Sequence, residues 1–368
     1  MLDAALKIIN KIEENGYKAY IVGGFVRDYI LGIESSDVDI CTSAKPKELV
    51  EIFEGAVLPK DDYGSVSLLV KNTTFQITTF RTEVDYLDYR HPEEIEYVND
   101  LNEDLIRRDF TINTICMDKD GNIIDRLGGR DDLDKKIIRT VGNSFDRFHE
   151  DALRILRAVR FSTKLDFELS DEVVEGIKKN KELLNNISYS RKKEELDKIF
   201  TCSNAKKGIS LLIDLELDKV LGLRNLDKVE VTESLIGIWS VIEVDDDTYP
   251  FTNNEKELIA KVREALKINN LDPYNLYKYG LYVNSTAGIL KKIPREDVAR
   301  NYEKLVIHTR KDLDITSNDI IEKLGFKPGP SISKIYTTLE KEVLYKRLEN
   351  NKEDIINYCL ENFSGDII

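Results

Sequence analysis

The pattern of apolar and polar positions divides the chain into two parts, and residues 1–140 alternate between helical and strand-like spacing. The run "AALKIINKIEENG" has apolar residues at helical spacing and ends at a glycine, which predicts an amphipathic helix. The run "KAYIVGG" predicts a short buried strand that ends at two glycines. The runs "SVSLLVKN" and "TTFQITTFR" are rich in β-branched residues and predict a hairpin.

The spacing changes after Gly142. From there to the C-terminus the pattern is almost wholly helical, interrupted by Gly, Pro and Asn, and no repeat of fixed period occurs. The sequence therefore predicts an α+β protein, with a small mixed α/β head followed by a helical remainder large enough for one or two domains.

The composition argues against a membrane protein, a secreted protein and a Cys/His zinc protein. Hydrophobic residues make up 41% of the 368 positions, and no apolar run approaches the ~18 residues of a membrane span. The N-terminal helix carries acids and lacks the basic and apolar regions of a signal peptide. Four scattered cysteines without a CxxC pair, and only three histidines, argue against a Cys/His zinc site and favour a reducing cytoplasm.

The charge balance bears on possible partners. A formal net charge of −14 argues against a protein that binds nucleic acid through its overall charge. Screening limits the reach of distant charges to ~8–10 Å, so a local basic surface stays compatible with this balance.

Two aspartates separated by one valine, Asp37 and Asp39 in "DVDI", carry the first candidate chemistry. On a strand both side chains point to the same face, ~7 Å apart along it. Carboxylates at that spacing can bind one divalent cation or flank two, and an all-oxygen donor set suits Mg²⁺ beside substrate phosphates. Taken alone, such a pair is very common and more often marks the solvated edge of a strand.

Two glycines, Gly23 and Gly24, end the predicted strand just upstream of this acid pair. Without side chains, their backbone can approach an anion closely, and a helix that starts there adds the positive end of its dipole. An ordinary tight turn would have the same glycines. Together with the acid pair, they favour a phosphate-binding turn beside a metal site.

The combination of "GGFVRD" and "DVDI" resembles the signature of the DNA polymerase β-like nucleotidyltransferase superfamily. The match is most specific to the class II tRNA nucleotidyltransferases, which comprise CCA-adding enzymes and bacterial poly(A) polymerases. The resemblance implies that Gly23, Gly24 and Arg27 hold a nucleoside triphosphate, and that Asp37 and Asp39 are catalytic residues that bind Mg²⁺.

One position departs from the superfamily pattern. Its polymerases often carry a third acid on a later strand, where this chain has Gln76. Either two carboxylates suffice here, or Glu83 or another acid contributes, and the sequence leaves the third ligand open.

A second motif, "RRDFTIN", places two arginines and an aspartate just before an apolar strand. The residues alone fit either a solvated helix end with salt bridges or a set of phosphate and ribose contacts. The motif resembles the ribose-selecting element of the family, which implies nucleotide contacts by Arg108, Asp109 and Asn113. The neighbouring "DRLGGRDDL" resembles a structural element of the same family.

The third motif, "EDALRILRAVRF", has a helical pattern with a buried stripe made by Ala152, Leu153, Leu156 and Val159. In a continuous helix Asp151 and Arg154 are neighbours at i and i+3. They could form an ordinary intrahelical ion pair. They could instead read a base, because an ionised Asp only accepts and an Arg only donates hydrogen bonds.

Cytosine and adenine share an amino donor next to a ring-nitrogen acceptor, whereas uracil and guanine present the reverse, so an Asp–Arg pair would accept C and A. The segment resembles the family motif EDxxR, in which these side chains act as a protein template. The resemblance implies this role for Glu150, Asp151 and Arg154, and triphosphate contacts for Arg157 and Arg160.

The segment from Phe80 to Val98 is polar, rich in tyrosine and without clean periodicity, which predicts a long loop. It resembles the flexible loop of CCA-adding enzymes, which helps the switch from C to A. The corresponding residues here are Asp88 and Arg90, and their presence weighs against a CC-only enzyme.

The resemblance covers nearly the whole chain. It implies a nucleotidyltransferase head at 1–140, a helical neck with the nucleotide-selecting helix at 141–205, a helical body at 206–290 and a tRNA-binding helical tail at 291–368. The implied activity is template-independent addition of CCA to the 3′ end of tRNA from CTP and ATP, with release of pyrophosphate, in the cytoplasm and away from membranes.

Four alternatives stay open at this point. Three are a CC-adding enzyme, an A-adding enzyme and a bacterial poly(A) polymerase, although the stretch after the second motif lacks the Arg-rich segment typical of the last. The fourth, from a different class, is a tRNA-binding protein without catalysis. The sequence also leaves the oligomeric state open.

Overall fold

A computed structural model of the chain describes residues 1–35, 37–58, 64–86, 92–245, 247–325 and 329–363. The chain forms two compact units. The first comprises Met1–Asp227 with Val244–Pro250, and the second comprises Lys228–Glu243 with Phe251–Ile368. The division into head, neck, body and tail stays a prediction.

The first unit contains all the strands of the described residues and the N-terminal helices. The strands are β1 (Ala19–Val22), β2 (Asp39–Thr42), β3 (Ser65–Val70), β4 (Thr73–Thr79), β5 (Arg81–Tyr86), β6 (Pro92–Tyr97), β7 (Cys116–Met117), β8 (Ile123–Ile124), β9 (Ile137–Ile138) and β10 (Glu168–Leu169). The helices are α1 (Leu2–Glu14), α2 (Gly24–Leu31), α3 (Pro46–Ile52), α4 (Leu101–Ile106), α5 (Gly129–Lys135), α6 (Ser144–Glu150), α7 (Leu153–Leu165), α8 (Asp171–Asn180), α9 (Tyr189–Phe200), α10 (Ala205–Asp214) and α11 (Leu217–Leu221).

A mixed six-stranded sheet forms the centre of the head, in the order β3-β4-β2-β1-β7-β8. The β2–β4 pair is parallel, and the other neighbouring pairs are antiparallel. The predicted hairpin is present as β3 and β4, which turn at Lys71 and Asn72, both with positive φ. Strand β2 lies inside the sheet, so its first residue, Asp39, has a partner on either side: Val22 of β1 and Gln76 of β4.

Apolar residues from the sheet and from neighbouring helices form the core of the head. Helix α1 buries one face, through Ala5, Ile8, Ile9 and Ile12, as its helical spacing predicts. A second cluster joins strands β1, β2 and β7 to helix α4, and consists of Val22, Cys41, Phe80, Leu101, Leu105 and Cys116. Strand β2, which begins at Asp39, is therefore anchored in the core through Cys41.

One prediction about the fold needs correction. The segment from Phe80 to Val98 is not a long loop, because β5 and β6 pair as an antiparallel hairpin in which Arg81 faces Tyr97. The two strands were missed because this polar stretch lacks the alternation of apolar and polar residues that predicts a strand. The part after Gly142 is almost wholly helical, as predicted; its one short strand within the described residues, β10, pairs in parallel with β9.

The second unit is helical. Its helices are α12 (Leu235–Val241), α13 (Asn253–Ala265), α14 (Pro273–Leu290), α15 (Arg295–Glu303), α16 (Ser317–Leu324), α17 (Pro330–Leu344) and α18 (Lys352–Phe363). Capping boxes fix the starts of α13, through Thr252 and Glu255, and of α16, through Thr316 and Asp319. Within the described ranges, none of the helices combines the length and apolar character needed to cross a membrane.

Candidate active site

The two candidate catalytic carboxylates lie at the start of β2. The strand begins at Asp39, later than predicted, and Asp37 precedes it. Exposure nevertheless alternates as on a strand: Asp37 and Asp39 are exposed, whereas Val38 and Ile40 are buried. Because successive side chains point to opposite faces, both carboxylates are on the open face.

The environment of Asp39 fits a cation-binding position. Loss of surrounding water raises the pKa of its carboxyl group, Arg108 opposes this rise, and the negative charge of Asp37 adds to it. The two carboxylates therefore repel each other, a repulsion that a divalent cation shared between them would relieve. In the described part of the chain no group of three or more His, Cys, Asp and Glu side chains is arranged to hold a metal, so the candidate site rests on this pair.

Gln76 occupies the position beside the pair where a third acid could lie. It is the direct partner of Asp39 across the parallel β2–β4 ladder, and its side chain is exposed on the same face. The Ser67 hydroxyl donates a hydrogen bond to Gln76 Oε1 at 3.2 Å. The side chain of Glu83, the other acid considered, lies outside the described residues.

Gly23 brings the first two motifs together. It ends β1 with φ near 80°, a conformation that favours glycine, and its N–H donates to the Ile115 carbonyl. A Cβ at this position would lie 3.6 Å from Arg108 Nη1 and 4.0 Å from Asp39 Oδ2. Helix α2 begins at the next residue, Gly24. The glycine turn therefore lies next to both the candidate acid pair and the "RRDFTIN" motif.

A chain of hydrogen bonds connects α2 to α7 through that motif. Arg27 is only 2% exposed, and its Nη1 donates to Asn113 Oδ1 at 2.7 Å. Asn113 Nδ2 donates to Asp109 Oδ1 at 3.0 Å, and Arg157 Nε donates to Asp109 Oδ2 at 2.9 Å. Arg27 also pairs with the adjacent Asp28. Four of the residues chosen from the sequence thus form one connected unit before any substrate is present.

Asp109 is the acidic centre of this unit. Burial alone would raise the pKa of its carboxyl group, but the charge of Arg157 and the hydrogen bonds from Asn113, Arg157 and the Phe110 N–H outweigh burial and hold the pKa well below its usual range. The Asp109 carboxylate is therefore ionised in the folded protein at neutral pH.

We expect Asp109→Asn to lower the melting temperature by roughly 5 °C at pH 7. The pKa of Asp109 is lower in the folded than in the unfolded state, so the stability it adds is complete above the unfolded-state pKa of ~3.9 and is lost as pH falls below that value. The difference between wild type and variant, followed by calorimetry, should shrink on acidification. An exposed acid provides the control, Glu54→Gln, and an equal effect of both substitutions would contradict the assignment.

Asp104 is a site residue that the sequence interpretation missed. Its side chain is fully buried on α4 and accepts hydrogen bonds from Arg107 Nε at 2.9 Å and from Arg108 Nη2 at 3.1 Å. Burial would raise the pKa of Asp104, but the two arginines bring it below the usual value. The signal was present in the spacing, because Asp104 lies three and four residues before the two arginines of its own helical turn.

The third motif is interrupted at Asp151, where the sequence pattern predicted a continuous helix. Helix α6 ends at Glu150, Asp151 has extended backbone angles, and α7 begins at Leu153. The Asp151 carboxylate accepts the backbone N–H of Leu153 at 2.9 Å, in the manner of a helix cap. Asp151 and Arg154 are therefore not neighbours within one helix, although the predicted buried stripe is confirmed.

Glu150 holds Arg154 in place instead. Glu150 Oε2 lies 2.8 Å from Nη1 of Arg147 and 2.8 Å from Nη1 of Arg154. Arg154 Nη2 also donates to the Arg107 carbonyl at 3.0 Å, which links the third motif to the second. Burial raises the pKa of Asp151, and Arg154 opposes the rise. Asp151 thus lies at the break between the two helices, whereas Arg154 lies in the first turn of α7.

Of the remaining predicted residues, the structure describes only Arg160. Arg160 on α7 pairs with the buried Glu195 of α9, with Nε 2.9 Å from Oε2. Asp88 and Arg90, predicted for the flexible loop, lie outside the described residues.

Gly129, in the element "GGRDDL", supports the turn that carries Asn113. A Cβ there would collide with the Thr111 carbonyl and lie 2.8 Å from Ile115 Cγ1. We expect Gly129→Ala to destabilise the protein by about 2 kcal/mol and to raise KM for nucleotide, because the turn must move. Calorimetry and steady-state kinetics test this. The control is Gly329→Ala, whose Cβ would meet nothing within 4 Å, and equal stability of the two variants would contradict the steric argument.

Comparison with known proteins shows likeness over nearly the whole length. Residues 19–139 match the family model described as "Poly A polymerase head domain", and residues 247–359 match the model of tRNA nucleotidyltransferase domain 2. The chain is 38% identical to a CCA-adding enzyme of Ligilactobacillus salivarius, over 96% of this chain and 94% of the relative. It is 35% identical to a CCA-adding enzyme of Lactococcus lactis subsp. cremoris, again over 96% and 94%. The crystal structure of Bacillus stearothermophilus CCA-adding enzyme in complex with CTP aligns with a TM-score of 0.86 at 30% identity, covering 98% of this chain and 97% of that one.

Proposed function

The chain belongs to the family of CCA-adding enzymes, and from this premise we propose that it adds C, C and A to the 3′ end of tRNA. It is a nucleotidyltransferase, and its partners are CTP, ATP and the tRNA 3′ end. The observation that carries this conclusion is sequence identity of 38% that extends over 96% of the chain, head and helical remainder alike. Because the relatives add CCA, the CC-adding, A-adding, poly(A)-polymerase and non-catalytic alternatives are not favoured.

Asp37 and Asp39 would hold the divalent metal ions on which nucleotidyltransferases generally depend. The all-oxygen donor set favours Mg²⁺. When bound, the metal supplies positive charge that lowers the pKa of the attacking 3′-hydroxyl and stabilises the departing pyrophosphate. The exposed face of β2 keeps both carboxylates accessible to substrate, as this role requires.

The groups around Gly23 would receive the nucleotide. A turn without side chains lets the triphosphate approach α2 closely, and Arg27, Arg108, Arg157 and Arg160 supply positive charge. Asp109 and Asn113 are placed for the ribose. Four of these side chains already form one hydrogen-bonded chain, from Arg27 through Asn113 and Asp109 to Arg157. They are therefore ordered before substrate binds, and preorganised charge stabilises a phosphoryl-transfer transition state most effectively.

Base selection would rest on Asp151 as acceptor and Arg154 as donor. This pair matches the amino group and ring nitrogen that C and A share, and it leaves U and G with unpaired polar groups. Glu150 contributes by fixing the Arg154 guanidinium. Asp88 and Arg90 would take part in the switch from C to A.

We also assign the reaction to the cytoplasm. Support comes from the cysteines, all four of which are free thiols. A reducing compartment maintains that state.

Primer extension on a tRNA transcript without its CCA end tests the activity. With Mg²⁺ and both CTP and ATP, we expect growth by C, C and A, and with CTP alone a stop after the cytidines. A stop at CC with both nucleotides would instead indicate a CC-adding enzyme. A long A tail would indicate a poly(A) polymerase, and no extension at all would favour the binding-protein alternative.

A further inference from the structure

Three arginines surround one aromatic ring, that of Phe161 on α7. The guanidinium carbons of Arg27, Arg157 and Arg160 lie 5.2, 5.5 and 4.5 Å from the ring centroid. All three distances are within the ~6 Å over which a ring quadrupole attracts a cation. The ring is only 8% exposed, so water weakens these contacts little. A second ring, that of Phe110 in the "RRDFTIN" motif, packs against it edge-on at 5.7 Å.

The three cations come from two helices and repel one another. Arg27 is on α2, whereas Arg157 and Arg160 are on successive turns of α7. Each forms an ion pair with a carboxylate, respectively that of Asp28, Asp109 and Glu195. Two of these acids serve a further cation as well, since Lys164 lies 3.7 Å from Asp28 and Lys198 lies 3.8 Å from Glu195. Two of the three paired carboxylates are therefore shared with a lysine, so only part of their charge offsets the arginines.

A ring and a carboxylate hold an arginine in different ways. A carboxylate cancels the positive charge that it attracts, and an incoming anion must compete with it. An aromatic ring attracts the cation through its quadrupole and leaves the net charge in place. A ring is therefore suited to gather several guanidiniums that must stay available to a polyanion.

We propose that Phe161 is a positioning residue for the triphosphate of the incoming nucleotide, which it serves by holding Arg27, Arg157 and Arg160 together. This inference rests on the proposed function. It deepens that function by assigning the nucleotide affinity in part to an uncharged side chain that touches no reacting atom. Packing alone would need an apolar group of this size at position 161, whereas the proposed role needs the electrons of the ring face.

Stepwise fluorination of the ring separates these two roles. Fluorinated phenylalanines at position 161 nearly keep the size of the side chain and progressively weaken its attraction for cations. We expect KM for CTP and for ATP to rise with each added fluorine, by up to about tenfold in total. The kcat and the preference for CTP over UTP should be unchanged. Affinity for inorganic tripolyphosphate, measured by calorimetry on the full-length protein, should fall in parallel.

Phe148 provides the matched control. It is fully buried on the neighbouring helix α6 and packs near Gly176, and the same fluorinated series there should leave KM and tripolyphosphate affinity unchanged. Phe161→Tyr, which keeps the ring, should bind better than Phe161→Leu if both fold. A flat KM across the Phe161 series, or equal trends at Phe148, would overturn the proposal. Tripolyphosphate binding is independent of catalysis, so a wild-type protein that binds it but does not extend tRNA would refute the proposed function and not this inference.

Discussion

Replacement of Asp39 by alanine is expected to reduce nucleotide addition at least ~10³-fold, because the metal pair would lose one of its two carboxylates. Asp37→Ala should have a similar effect, and the double variant should be little worse than either single one, since the two residues act as a unit. Single-turnover extension of a tRNA ending in CC, with saturating ATP, measures this loss on the chemical step.

Two further variants make the result specific. Asp39→Asn keeps the shape and removes the charge, so it should be as inactive as Asp39→Ala if charge is what matters. Asp120→Ala removes an exposed acid of the same head and should be fully active. Retained activity in the double variant Asp37→Ala with Asp39→Ala would show the metal assignment to be wrong.

The preference for C over U is expected to depend strongly on Asp151. An asparagine there can donate as well as accept, so Asp151→Asn should lose the rejection of uracil. We expect the ratio of kcat/KM for CTP to that for UTP to fall by roughly 10²–10³-fold, since discrimination through buried polar groups reaches ~10⁴-fold or more. Competition assays with both nucleotides on one tRNA primer give this ratio directly.

Neighbouring positions on α6 test whether the effect belongs to Asp151. Glu150→Gln weakens the hold on Arg154 without removing either reading group, so it should lower kcat/KM for CTP while most of the preference remains. Asp146→Asn changes an exposed acid of the same helix and should have no effect. Unchanged preference in Asp151→Asn would show that the base is read elsewhere.

Local patterns in the sequence were sufficient for much of the head. The apolar spacing of α1, the two glycines after β1 and the β-branched runs of β3 and β4 each specify their own element, because short-range periodicity and turn residues determine them. The exposed positions of Asp37 and Asp39 followed from alternation alone. The adjacency of Gln76 and Asp39 could be anticipated only in outline, since sheet order depends on long-range pairing.

The break at Asp151 shows what periodicity misses. Neither glycine nor proline occurs between Glu150 and Leu153, and the apolar stripe continues across the break, so the pattern is that of one helix. At the break the Asp151 carboxylate accepts a hydrogen bond from the Leu153 N–H, and the periodicity of apolar positions carries no signal for such a contact. Similarly, the bonds from Arg27 to Asn113 and from Arg157 to Asp109 span more than forty residues, and no local signal specifies them.

The fixed register of strand β2 limits where proteins of this architecture can gain or lose residues. Its side chains alternate between the core and the open face, and the strand is paired on both sides, so a shift by one residue would expose Val38 and Ile40 and turn the carboxylates inward. Inserting or deleting one residue in this strand would therefore displace the candidate metal-binding carboxylates and disrupt the packing of the sheet in a single event. Length changes are expected instead at connections such as the turn at Lys71 and Asn72, where the chain can grow without altering the register of any catalytic strand.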